Sequence, residues 1–385
     1  MKKSLIISFL CLLQAYHTQA QTQAQNETKA FDNAIYRINK EWKGYNATNK
    51  KERDIILAKI DCLDLSGNNL SLSRIPQEVK DCKNLKHLNL LGHYKIDWTS
   101  MEGIEVKSIY VTVKNLNQID TIYWKQITGI QVSKQIKGIQ VSEQALEVIP
   151  DNIIQQKQLN YLDLDNNKLA TLPASIGELK NLITLEFYGN QLTTLPASIG
   201  ELKNLKRLSL SYNQLTALPT SIRELKNLEE LYLSNNKLAT LPVSIGELKN
   251  LKYLHLDENQ LTTLPDAIGE LKNLKGLHLS NNKLAALPKA IGGLKNLEIL
   301  SLDYNLLTIL PISIGELKNL VRLDLSENKL ITLPTSIGEL KDLEFLYLRE
   351  NQLKVLPTSI GELKNLKELA LPLYMTVKKI LIKVL

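Results

Sequence analysis

Two histidines, His255 and His278, stand 23 residues apart, and Asp257 follows the first by two. Two imidazoles and a carboxylate are a donor set that could hold a transition metal, provided that the fold brings them together. The same residue types also suit a polar contact surface, and a pair of neighbouring histidines could make such a surface sensitive to pH. No further residue that would orient the ligands can be identified, so the reading adopted is that the chain carries no metal and no other cofactor. The chain contains no Gly-rich phosphate loop, GxSxG, HExxH or CxxC motif, and nothing else in it is spaced for catalysis. The expectation is a protein that binds rather than one that converts.

A second group of residues gives that expectation content. Tyr161, Tyr188, Tyr212, Tyr232, Tyr253, Tyr304 and Tyr347 recur at a few related spacings and make up half of the chain's 14 tyrosines. Between them fall Asp163, Arg207, Glu230, Asp303, Arg322, Asp324, Phe345 and Arg349. Tyrosine and arginine supply anchoring contacts at protein interfaces at low entropic cost. Tyrosine also has a general preference for strands, but seven on one face, mixed with both signs of charge, suit protein recognition better. Together with His255, Asp257 and His278, these residues are the candidate partner-binding set. A glycan or cell-wall ligand is the alternative occupant of the same tyrosines.

What aligns them is a repeat. The octapeptide SIGELKNL begins at residues 175, 198, 244, 313 and 359. Around it lies a 23-residue unit, first seen as LNYLDLDNNKLATLPASIGELKN at residues 159–181, and eight more follow without a gap to residue 365. Numbering each unit from its first leucine, every copy keeps Asn at position nine, from Asn167 to Asn351, and Pro at position fifteen, from Pro173 to Pro357. The segment LxxLxLxx alternates with a period of two, which predicts a strand with Leu162 and Leu164 on one side and Tyr161, Asp163 and Asp165 on the other. Asn at position nine can bond backbone groups left unpaired by a bend. Proline fixes φ before the outer segment, and the spacing of Ser175 and Glu178 predicts a capping box. The apolar positions of a single unit cannot offset the entropy of ordering it, so the units must stack.

This signature resembles the leucine-rich repeat family. It is closest to the LPxxIGxL subtype found in bacterial leucine-rich-repeat proteins and in intracellular Ras-suppressor-like scaffolds. The resemblance implies an α/β fold: a horseshoe-shaped solenoid with a parallel β-sheet on its concave face and short helical or 3-10 segments on its convex face. It also implies a non-enzymatic module that binds a protein partner. Positions three, five, seven and eight would then face the concave side. The lysines from Lys180 to Lys364 would alternate with glutamates as a solvated lattice on the convex side. Bacterial ubiquitin ligases of this kind carry a large catalytic domain after the array, and only about twenty residues follow it here.

Residues 1–20 read as a signal peptide, with Lys2 and Lys3 before the apolar run SLIISFLCLL and cleavage after Ala20, or alternatively after Ala24. The expectation is an exported protein that is secreted, periplasmic or on the cell surface; an intracellular scaffold requires that this reading fail. No later segment is long and apolar enough to span a bilayer. Residues 21–59 are expected to cap the first coil, residues 60–158 to be degenerate repeats, and residues 366–385 to be a truncated repeat with an amphipathic cap. Between 91 and 135 the period fails, and both continued repeats and an inserted loop fit the pattern. Cys62 and Cys82 fall on opposite sides of a repeat, which places Cys82 in the core without a disulfide. The net charge is +7, but acidic and basic residues nearly balance within 159–365, which gives no basic stripe for nucleic acid.

Overall fold

In the computed structural model of the protein, the described residues are Gly44, 49–60, 62–65, 75–85, 87–90, 108–112, 136–141 and 145–374. The signal-like residues 1–20, most of the N-terminal capping region and the tail 375–385 lie outside them. The chain forms two units, Met1–Gln144 and Ala145–Leu385.

In the first unit a helix spans Lys50–Leu57 and buries Leu57. Asn49 caps it, with its side chain accepting from the Glu52 N–H at 3.1 Å and donating to the Glu52 carboxylate at 2.9 Å. Among the described residues four strands follow in parallel: β1 (Cys62–Asp64), β2 (His87–Leu90), β3 (Ser108–Thr112) and β4 (Ile136–Gln140). The stretch without a period therefore contributes β3 to the sheet. Ile109 pairs with Ile136 but Tyr110 with Gly138, a bulge that puts the neighbouring strands out of constant register. Cys82 is free and buried, and its thiol is pushed up to about 12 by burial and then by Asp81, so it is inert core.

The second unit shows the repeat in regular form. After a short helix at Asp151–Ile154 come ten three-residue strands: β5 (Tyr161–Asp163), β6 (Thr184–Glu186), β7 (Arg207–Ser209), β8 (Glu230–Tyr232), β9 (Tyr253–His255), β10 (Gly276–His278), β11 (Ile299–Ser301), β12 (Arg322–Asp324), β13 (Phe345–Tyr347) and β14 (Glu368–Ala370). Each pairs in parallel with the next at a constant offset of one unit, so Leu162 faces Leu185, which faces Leu208. Such a register is what the two-residue side-chain period demands, because a slip of one would turn every leucine outward. Leu162, Leu164, Leu169, Ile176 and Leu179, with their counterparts in the coils from 182 to 348, are fully buried.

The asparagine at position nine joins coil to coil. Asn213 accepts from the Leu192 N–H of the preceding coil at 2.9 Å and donates to the Phe187 carbonyl there at 2.8 Å and to its own Leu210 carbonyl at 3.0 Å. The same pattern recurs from Asn190 to Asn351, which satisfies buried backbone groups that the turn after each strand leaves unpaired. In the tenth coil Tyr374 replaces it, and its hydroxyl donates to the Asn351 carbonyl at 2.6 Å.

The predicted capping box does not form. The outer segment is a 3-10 turn, Ala174–Glu178 in the first regular coil, which starts after Pro173 with no side-chain cap. The serine therefore sits inside the turn rather than before it. The hydroxyls of Ser198, Ser221, Ser244, Ser313 and Ser359 are buried without a hydrogen-bond partner. A size requirement accounts for the residue. A Cβ added at Gly177 would lie 2.5 Å from the Ser198 carbonyl oxygen and 2.9 Å from the Ser198 Cβ, so adjacent outer segments nearly touch there. Only a small residue fits, and Ala267 and Ala290 serve equally. The glutamates instead pair with lysines of the preceding coil, as in Lys203–Glu224 at 2.8 Å and Lys295–Glu316 at 2.7 Å.

Candidate functional site

The open face of β5–β14 carries the candidate residues, which fall into three groups by what holds them. In the first two coils, Tyr161 donates to Asp163 at 3.3 Å, and Asp163 accepts the Asp165 N–H at 2.9 Å. Asp163 is only 6% exposed. Its carboxylate thus braces the strand end. Asp165 accepts the Tyr188 N–H at 2.7 Å. Burial, followed by the neighbouring Asp163 carboxylate, pushes Asp165 up to about 7.

The middle coils hold a column of planar groups. Arg207 donates to Glu186 at 2.7 Å and to the Tyr232 hydroxyl at 2.9 Å, and it also bonds Glu230. Its guanidinium lies 4.3 Å from the centre of the Tyr232 ring. Tyr232 in turn donates to Glu230 at 2.9 Å. His255 stacks on Tyr232 at 4.7 Å, and His278 stacks on His255 at 4.2 Å with only 3° between the planes. The register explains the stack, since Ser209, Tyr232, His255 and His278 are direct partners on β7 to β10. Burial and then the adjacent His278 hold His255 down to about 4, and burial also lowers His278, so both imidazoles are neutral near pH 7. Gly276 makes room for the column: a Cβ there would lie 2.9 Å from Tyr253 and 3.2 Å from His278 Nε2.

The remaining residues are looser. Asp303 bonds Ser280, and Asp324 accepts the Ser326 N–H at 3.1 Å. Arg322 lies 4.8 Å over the Tyr347 ring, whose hydroxyl donates to Glu368 at 3.2 Å. Phe345 is half-buried and Arg349 exposed. Of the candidate aromatics, Tyr188, Tyr212 and Tyr304 are the most accessible, at 38%, 50% and 58% exposure. The rings of Tyr188 and Tyr212 are 4.8 Å apart.

Sequence reasoning left out Glu186, Ser234, Ser280, Ser301 and Gly276, all of which hold site residues in place. Their only signal is membership of the same repeat columns. It also left out a backbone feature. Position eight is left-handed in coil after coil, at Asn166, Asn235 and Asn281 but also at Tyr212 (φ 56°) and Tyr304 (φ 54°). Asparagine tolerates this conformation and a bulky residue does not.

Comparison with known proteins gives a consistent result. A family model described as leucine-rich repeat region matches residues 149–240 and 199–277, and one described as leucine rich repeat matches 277–330. No curated protein matches the chain. Among solved structures, a leucine-rich repeat protein of Leptospira interrogans is 32% identical, over 84% of this chain and 87% of that one, with a TM-score of 0.48. An internalin from Listeria monocytogenes is 17% identical, over 90% and 95% of the two chains, with a TM-score of 0.61, a likeness of fold. A plant peptide hormone receptor, RGFR1, solved in complex with RGF2, is 25% identical with a TM-score of 0.56; the match covers 82% of this chain and 59% of the receptor's.

Proposed function

The chain belongs to the leucine-rich repeat family, and from that premise we propose that the open face of β5–β14 captures a protein partner. The observation that carries this reading is the placement of Tyr212 and Tyr304. Both are half or more exposed, and both occupy a left-handed backbone position that asparagine, glutamate or glycine fills in the other coils. A tyrosine held at that cost, with its ring in solvent, serves contact rather than folding. The similar peptide hormone receptor, solved in complex with RGF2, supports a binding role for a repeat array of this kind.

The protein is exported, on the strength of the signal-like residues 1–20, and acts as a binding module without chemistry of its own. N-terminal sequencing of the protein from the extracellular or envelope fraction tests the export. A start at Gln21 or Gln25 is expected, and an intact Met1 in the cytoplasm would refute it.

The binding face is tested by capture with the mature protein as bait, compared with a Tyr188→Ser, Tyr212→Asn, Tyr304→Asn variant and with an outer-wall control, Lys249→Gln. The expected result is a partner retained by the wild type and the control and lost by the triple variant. Equal capture by the triple variant would overturn the reading, as would binding to a glycan array in place of protein.

A further inference from the structure

We infer that His255, His278 and Asp257 form a binding site for one zinc ion at the centre of the open face. One donor atom from each lies within 4.8 Å of those of the other two, and all three residues are half-buried. Donors of a tetrahedral zinc centre stand about 3.3 Å apart, given metal–nitrogen bonds near 2.0 Å. The side chains must therefore close by roughly 1.5 Å, which rotation about their own bonds supplies without moving the strands.

Three features single out this cluster from an ordinary polar patch. The two rings stack at 4.2 Å, which sets imidazoles of adjacent coils side by side, and each must turn out of the parallel stack for its in-plane lone pair to meet a shared ion. His255 has no hydrogen bond to either ring nitrogen among the described residues, and its ring lies between those of Tyr232 and His278. Its half-buried lone pair thus lacks a partner, which a metal would supply. Asp257 is already aimed, because it accepts the Ser280 N–H at 3.1 Å and the Ser234 hydroxyl at 3.1 Å. Each carboxylate oxygen keeps a lone pair free beyond those bonds. On the other side, the Ser301 hydroxyl lies 3.4 Å from His278 Nδ1, where it can fix that ring's tautomer. These are the orienting groups that metal ligands need and that the spacing of the histidines alone does not reveal. Two imidazoles and one carboxylate leave the outward coordination position open to water or to a donor from a bound molecule.

The test uses the mature full-length protein, free of affinity tag and stripped with chelator, titrated with zinc chloride in a calorimeter. One ion per chain is expected, with a rise in the thermal midpoint on saturation. The His255→Gln, His278→Gln double variant should lose this event. Asp257→Asn, which keeps an acceptor for the Ser280 N–H and turns a donor toward the Ser234 hydroxyl oxygen, should bind at least about tenfold more weakly. Cobalt(II) supplies a readout independent of stability, since its visible absorption bands should appear in the wild type and vanish in the double variant. No saturable zinc binding, wild-type affinity in both variants, or equal binding of magnesium would each overturn the assignment.

Discussion

Tyr304 and Asp165 are two residues whose chemistry works against the fold that holds them. Tyr304 sits at φ 54° with its ring in solvent. Tyr304→Asn should raise stability by about 1 kcal/mol in urea denaturation, because asparagine accepts the left-handed region that tyrosine resists. A loss of stability would mean that the ring contributes to folding after all. Asp165 is a carboxyl raised to about 7 by burial and by Asp163. Between its unfolded value near 4 and that folded value the native state holds more protons than the unfolded one, so stability falls as pH rises through this window. Asp165→Asn keeps an acceptor for the Tyr188 N–H and removes the buried charge. It should raise the thermal midpoint at pH 8, change it little at pH 4, and flatten the decline between them. At this scale the sequence was only partly legible. Alternation placed Tyr232 and His255 on one face correctly, but it could not reveal that Asp163 folds inward onto Asp165. Nor could it show left-handed backbone at position eight, where Asn, Tyr, Glu and Gly all occur.

At the scale of the repeated elements, two ladders run along the array and differ in what they contribute. The asparagine ladder is buried. Asn305 accepts from Leu284 N–H at 3.0 Å and donates to the Leu279 and Leu302 carbonyls at 2.9 and 3.1 Å. Asn305→Ala strips all three groups of their partner in a dry interior and should cost about 3 kcal/mol or more by urea denaturation. The lysine–glutamate ladder on the outer wall is exposed to solvent. Glu316→Gln breaks the 2.7 Å pair with Lys295 but should leave the unfolding midpoint unchanged within error, because water screens both partners. The invariance of Asn at position nine announced its role, since one side chain must serve two coils in every copy. The recurrence of SIGE misled, because a spacing that satisfies a helical capping box also satisfies close approach of 3-10 turns. Ser198 and its equivalents are retained for their size, as the contact beneath Gly177 shows.

Across the whole molecule, constant register makes the regular unit modular. An in-frame deletion of residues 297–319 joins Asn296 to Leu320 and keeps every leucine and asparagine in phase. It should yield a folded protein with a lower denaturation midpoint, whereas deleting 297–318 leaves one residue too many and should disrupt the array from that coil onward. Far-UV circular dichroism and urea titration distinguish the two. The 23-residue period made this architecture readable, and it became hard to read in residues 91–135, where the bulge between Ile109 and Tyr110 shows that the pairing of β3 with β4 departs from a fixed offset.

The same constant register lines up whatever varies between coils on one surface, and site-directed photo-crosslinking reads that surface most directly. A benzophenone amino acid at Tyr212, on the open strand face, should form a covalent adduct with the captured protein under native conditions, while the same group at Lys272, on the outer wall, should form none. An adduct from Lys272 with none from Tyr212 would contradict the account.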